Sequence, residues 1–367
     1  MKLIIFISSL SILLFFNSCS DKGSNPVDTN PSAIRVPADY PTIQLAIEAA
    51  KSNDSILVSP GRYIENINFK GKNIKIRSTE GLSTTVIDGD GKGSTVTFYS
   101  GESEMAILEG FTIINGSKSG ILCDSSSSPT LKNLRITNNH SSYGGGIGCL
   151  NNSSPFINNV TLIGNNSEYG GGIYCWNNSN PHLRNVRITG NFATDGGGLT
   201  CSESSNAILE NVLIVQNEAA YGGGVEIIFN SSPTFNNVTI ANNLSSLSIG
   251  GIFCNSCLNP ILTNSICWDN PIDAVYFAPL NTRNSITVYY SNIEGGRNGI
   301  RDNNYGTVHW LAGNINANPL FQNPNTGNYH LQVGSPCIDK GDSTSTFNDY
   351  NGSRNDLGAY GGQYGNW

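Results

Sequence analysis

The side chains best able to do chemistry in this sequence recur at one interval. Asp195 and Glu226 are two carboxyls that a stacked fold could bring face to face. Hydrolysis of a glycosidic bond needs such a pair, one acid and one base or nucleophile, roughly 5–9.5 Å apart. Glu168 and Glu203 lie close by in the chain. Tyr143, Tyr169 and Tyr221 each precede a glycine triplet, and Tyr174 and Trp176 follow one. Rings repeated along a groove could stack on successive sugars, giving a polymer an apolar track with polar edges; equally, they could simply cover a turn. A cationic set, Lys132, Arg135, Arg184 and Arg187 with His182 beside it, reads first as solvated surface, because arginine stays protonated. Asp339, Asp342, Asp349 and Asp356 offer hard oxygen ligands in a glycine-rich stretch, which suits calcium. No twelve-residue binding loop accompanies them, so they read as turn caps; calcium is the one cofactor the residues suggest, and none is required. Cys254 and Cys257 lack a second pair or a histidine at zinc spacing, so no metal site is expected.

What must position these residues is a repeat. Gly120, Gly146, Gly172, Gly198, Gly224 and Gly251 lie 26, 26, 26, 26 and 27 residues apart. Asparagines keep the same step in two columns, one through Asn133, Asn159 and Asn185, the other through Asn139, Asn165 and Asn191. A fixed period of this size means a solenoid. Within a repeat the apolar positions alternate: Ile147 and Cys149, then Ile157, then Val160 and Leu162. That is period two with β-branched residues, so each coil is expected to hold three short strands joined by Asn, Ser, Gly and Pro turns. Coils stacked in parallel at ~4.8 Å place each residue on its equivalent 26 positions away. Asn159 should occupy a left-handed corner, and stacked asparagines can hydrogen-bond along the axis. Cys123, Cys149, Cys175, Cys201 and Cys254 share one inward column, read as small buried hydrophobes; disulfides stay open as the alternative.

The ends differ from the repeats. Ile43, Ala46, Ile47 and Ala50 fall on one helical face, predicting a helix that caps the first coil. Lys2 precedes an apolar run from Leu3 to Phe16, too short to span a membrane and shaped like an export signal. The segment ending in Cys19 resembles the lipobox of bacterial lipoproteins, which implies an acylated Cys19 as the mature N-terminus. Residues 20–33 suit a flexible tether. The expected organisation is a signal peptide over 1–18, a tether over 19–33, the solenoid with its helix cap over 34–290, and terminal coils with an irregular C-terminal cap over 291–367. Removing 1–18 takes away one lysine and leaves 19 basic against 27 acidic side chains, net −8, which argues against a nucleic-acid partner.

The stretch "IRVPADYPTIQLAIEAAKSNDSILVSPGRYIENINFKGKNIKIRS" resembles the opening of exported proteins of the pectin-lyase-like superfamily. "GNINANPLF" and "GNYHLQVGSPCIDKGD" resemble the closing coils of surface proteins built the same way. The resemblance implies an all-β fold, a single right-handed parallel β-helix. It covers residues 34–367 but does not choose an activity, since that superfamily holds lyases, hydrolases, esterases and non-enzymatic proteins. A lyase of this kind would need an arginine or lysine base near calcium, and the available cations sit on a different face from the acids. None of the short motifs of pectate lyases, pectin esterases or polygalacturonases is present.

The leading expectation is therefore a monomeric surface protein, anchored to the outer membrane or cell surface by Cys19, or secreted if the leader is an ordinary signal peptide. It would hold a polysaccharide or another cell-surface ligand without catalysis, on a face formed by Tyr143, Tyr169, Tyr174, Trp176 and Tyr221. Two alternatives stay open: a lyase or glycoside hydrolase acting on uronate polymers through Asp195 and Glu226, and a structural spacer or adhesin.

Overall fold

The computed structural model describes residues 33–279 and 284–367; the expected signal peptide, Cys19 and nearly all of the tether lie outside them. One coil shows how sequence becomes shape. Ile147–Leu150 is extended, with Ile147 and Cys149 turned inward and fully buried. Asn151 and Asn152 then both take left-handed backbone, a conformation asparagine tolerates better than most residues, and the chain turns. Phe156–Ile163 follows as one eight-residue strand, bent in its middle where Asn159 has φ 53°. The second and third strands expected from the sequence are thus the two arms of one bent strand. A further short strand, Asn166–Tyr169, leads into Gly170, Gly171 and Gly172, and Ile173 begins the next coil.

Stacking is in register. Val160 pairs with Val186 and Val186 with Val212, so the neighbour of a core residue is indeed 26 positions away. Among the described residues the strands form a seventeen-stranded sheet from the bent strands and the first and last coils, a ten-stranded sheet through Ile147–Leu150, and a five-stranded sheet through Asn166–Tyr169. All their pairings are parallel; only Phe321–Asn323 and Asn328–Leu331 pair antiparallel. The fold is an all-β parallel solenoid of about ten turns, and its core is one continuous stack of isoleucine, leucine, valine and cysteine.

Glycine is obligatory at the triplet. A Cβ on Gly172 would lie 2.5 Å from the Gly198 carbonyl oxygen and 2.6 Å from Ile188 Cγ2, closer than real Cβ atoms come. The asparagine ladder runs along the corner beside it. Asn165 Nδ2 donates to Asn191 Oδ1 and Asn191 Nδ2 to Asn217 Oδ1, each at 3.0 Å. The same oxygens also accept the backbone N–H of the previous rung's asparagine. The other column behaves differently: Asn133, Asn159 and Asn185 are all left-handed, as expected, but only Asn159 to Asn133 is bridged side chain to side chain there. The cysteine column is in register from Cys123 through Cys149 and Cys175 to Cys201. All eight described cysteines are free and buried, and burial holds the Cys123 and Cys175 thiols well above their ordinary pKa.

The expected helix spans Ile43–Ala49, capped by the Thr42 side chain, with Ile43, Ala46 and Ile47 buried against the first coils. The Glu65 carboxylate accepts the N–H groups of Ile43 and Gln44 at 2.9 Å, and Lys72 Nζ donates to three carbonyls at the other end. These charges complement the helix dipole. The C-terminal segment lies along the flank of the seventeen-stranded sheet. There Phe321, Tyr329, Leu357 and Ala359 cover Leu213, Val215, Ala241 and Ile266.

Candidate functional site

Two outward columns meet at the glycine corner. Tyr143, Tyr169, Asp195 and Tyr221 end the short strands of the five-stranded sheet and are paired in that order. Gly148, Tyr174, Thr200 and Glu226 follow the triplets, and Phe253 the pair Gly250 and Gly251, on the ten-stranded sheet, also in register. The first column leans over the second. Tyr143 and Tyr169 stack with centroids 5.5 Å apart and planes 11° apart, one rung of separation. Tyr174 sits against both at 5.4 and 6.1 Å.

The result is a cleft of about 400 Å³. Its walls include Tyr143, Tyr169, Tyr174 and Trp176, together with Leu150, Ile228 and Phe229. Tyr143 and Trp176 are open to solvent at 49% and 36%, whereas Tyr174 is only 7% exposed and packs as a buried wall rather than an open contact. Ser202 and Glu203 add polar edges. Tyr221 stands apart from this cleft: its ring packs on Phe253 at 5.8 Å, and Phe253 stacks on Tyr276 at 6.0 Å. The expected single face is two aromatic clusters with Asp195, Thr200 and Glu226 between them in coil order.

The sequence reading missed Leu150, Ile228 and Phe229 as cleft residues. A signal for Phe229 was present. It takes the left-handed turn position held by Asn151, Asn177 and Glu203 in preceding coils, with φ 48°, yet it is a bulky residue, 49% exposed. Large side chains rarely accept that backbone, so the phenyl ring is placed there at a local conformational cost.

Asp195 and Glu226 are brought into electrostatic contact, but their surroundings differ. Glu226 points outward from its sheet and is nonetheless 5% exposed. Its Oε2 accepts from Thr200 Oγ1 at 3.3 Å. Burial first, and then the charge of Asp195, push its carboxyl up to about 8, so it is uncharged at neutral pH. Burial and Glu168 raise Asp195 as well.

The other sequence candidates are engaged elsewhere. Arg184 Nη2 lies 2.7 Å from Glu210 Oε2, which also meets His182 Nε2 at 2.9 Å, and the guanidinium covers the Tyr364 ring at 4.0 Å. Arg187 donates to Gly327 O and the Tyr360 hydroxyl. The C-terminal aspartates hold turns: Asp349 Oδ1 accepts from Asp356 N and Gly362 N, Asp356 Oδ1 from Asp339 N, and Asp342 Oδ1 from Thr344 N. No group of three or more histidine, cysteine or acidic residues is arranged to hold a metal ion among the described residues.

No curated protein matches this sequence. Among solved structures the chain is similar to the pectate lyase Pel9A, with TM-score 0.56 and 14% identity over 86% of this chain and 90% of that one; the likeness is one of fold. Pectin methylesterases from Yersinia enterocolitica and from carrot match with TM-scores of 0.39 and 0.43 at 12% and 13% identity. They cover 73% and 85% of this chain and 94% and 100% of theirs. The family model described as "right handed beta helix region" matches residues 56–220 and 171–329. With the in-register parallel coils already seen, this makes the chain a member of the right-handed β-helix family.

Proposed function

We propose that this protein binds a polysaccharide along the aromatic cleft, displayed from the cell envelope through a lipidated Cys19. The observation that carries the reading is the cleft itself: Tyr143, Tyr169, Tyr174 and Trp176 come from two consecutive coils and line one open volume of about 400 Å³. Its residues span four rungs, or about 14 Å along the axis, a length suited to a short run of sugars. Sugar rings present apolar C–H faces to aromatic rings and hydroxyls to polar edges, and the cleft offers both kinds of surface. The test is glycan-array binding by wild type and by Tyr169→Ala/Trp176→Ala. Two rings at about 0.5–1.5 kcal/mol each predict a loss of roughly 5- to 150-fold; unchanged binding removes this face from consideration.

One observation favours a second reading, hydrolysis. A neutral Glu226 beside Asp195 is the kind of pairing in which one carboxyl donates a proton to the glycosidic oxygen while the other takes one from water. Release of reducing ends by wild type but not by Glu226→Gln is the outcome this reading requires.

A further inference from the structure

The distribution of charge around the cleft, taken with the reading of that cleft as a glycan site, narrows what the glycan can be. Between residues 119 and 282 the sequence holds only four lysines and arginines: Lys132, Arg135, Arg184 and Arg187. All four lie on strands of the seventeen-stranded sheet, Thr130–Thr137 and His182–Thr189. Arg184 and Arg187 are already tied to Glu210 and to the C-terminal segment.

The two sheets that meet at the cleft carry the opposite sign. From His140 to Ile228 their strands contain Glu168, Asp195, Glu218 and the buried, uncharged Glu226, and no lysine or arginine. Glu203 on the cleft wall adds a fifth acid. Burial is the larger cause of the raised Asp195 and Glu226 carboxyls, and beside it the charge of Glu168 raises Asp195 and that of Asp195 raises Glu226.

A uronate or sulfated polymer brings one negative charge with each acidic unit. Seated over several rungs it would bring its charges up to the Glu203 carboxylate on the cleft wall, and repulsion between charges closer than about 8 Å is only partly screened at physiological salt. Recognition of such polymers calls for guanidinium or ammonium groups facing each carboxylate or sulfate; the strands at the cleft carry none, and the one cation at the same corner is Lys118, one rung before Gly144 at the end of the cleft. An uncharged sugar meets no such penalty, because its hydroxyls donate to carboxylate oxygens and its ring faces meet Tyr143, Tyr169 and Trp176.

We propose that the cleft takes an uncharged polysaccharide, a polymer of neutral hexoses or pentoses, and rejects polyuronates and sulfated glycans.

The test is affinity electrophoresis of the full chain through gels containing a neutral polymer (mixed-linkage β-glucan, galactomannan, arabinan or xylan) or an acidic one (polygalacturonate, alginate or chondroitin sulfate). Each gel is run with and without millimolar calcium. The expected result is retardation by at least one neutral polymer, lost in Tyr169→Ala/Trp176→Ala and insensitive to salt, with none by the acidic polymers. Glu203→Lys is expected to gain retardation by polygalacturonate. Retardation by an acidic polymer equal to or stronger than by any neutral one, lost in the double aromatic variant, overturns this inference and leaves the glycan reading standing; calcium-dependent retardation counts the same way. Retardation by nothing, or retardation that survives the double variant, overturns the glycan reading and this inference with it.

Discussion

Glu226 occupies a position that the alternation of its strand assigns to solvent, yet it is buried. The cause lies in a different element: the column ending at Tyr221 leans across the glycine corner and covers the ten-stranded sheet. A carboxyl in that place loses hydration and faces Asp195, with only the Thr200 hydroxyl to compensate. Its folded pKa of about 8 lies above the ordinary carboxylate value, so the native state holds the proton more tightly than the unfolded chain does. Stability from this group is therefore full below the ordinary carboxylate pKa and is lost as pH rises towards 8, at about 1.4 kcal/mol for each unit of displacement. Glu226→Gln keeps the shape and removes the ionisation. The variant is expected to melt above wild type at pH 9, with the gap closing by pH 4.5, as measured by thermal unfolding across that range. A gap that stays constant with pH contradicts the account. The sequence offered the outward column and the acid, but not its burial, because burial depends on rings contributed by another strand.

At the scale of the strand and turn, much more could be read in advance. The 26-residue step fixes which residues stack, so the core isoleucines, the cysteine column and the left-handed asparagines all follow from one alignment. The difference between the two asparagine columns did not follow from it. Asn191 and Asn159 recur equally well in sequence, yet Asn191 is fully buried at a corner where its amide spans adjacent rungs. Asn159 is exposed and contributes mainly its tolerance of φ 53°. Asn191→Ala would leave the Asn165 N–H and Nδ2 without their acceptor and Leu162 O without its donor. Buried groups stranded in this way cost about 1–3 kcal/mol each, so a loss of at least about 3 kcal/mol is expected. Asn159→Gly keeps the left-handed turn and loses only the exposed bridge to Asn133, so it should cost about 1 kcal/mol or less. Urea unfolding of the two variants separates a hydrogen-bonding column from a conformational one; equal losses would show that the ladder has no special weight.

For the molecule as a whole, the C-terminal segment is the feature whose placement the sequence left most open, though a trace of it is visible. In the outward column Arg135, Thr161, Arg187, Leu213 and Thr239, one coil turns apolar, and two residues later Val215 and Ala241 follow Thr189 with apolar side chains. That patch is where Phe321, Tyr329 and Leu357 dock. Polar bonds fix the register: Asn237 and Asn355 exchange side-chain hydrogen bonds at 2.8 and 3.0 Å, and the Tyr329 hydroxyl donates to Asn242. Leu213→Arg restores the residue type of the preceding coil, so the solenoid should persist while the segment is displaced. Hydrogen exchange is expected to show lost protection for backbone amides in 320–362 and unchanged protection around Val160 and Val186.

The docking should also respond to pH through Asp356. Burial, then Asp349 and Asp339, raise its carboxyl to about 6, above its ordinary range in an undocked chain. Docking is therefore tightest below the ordinary carboxylate pKa and weakens as pH rises through 6. After correction for intrinsic exchange rates, amides in 320–362 should be better protected at pH 5 than at pH 7.5. Asp356→Asn keeps an oxygen to accept from Asp339 N and removes the charge, so its protection should be the same at both values. If wild type and Asp356→Asn respond to pH alike, the docking does not depend on the Asp356 charge, and the three aspartates serve only their own turns.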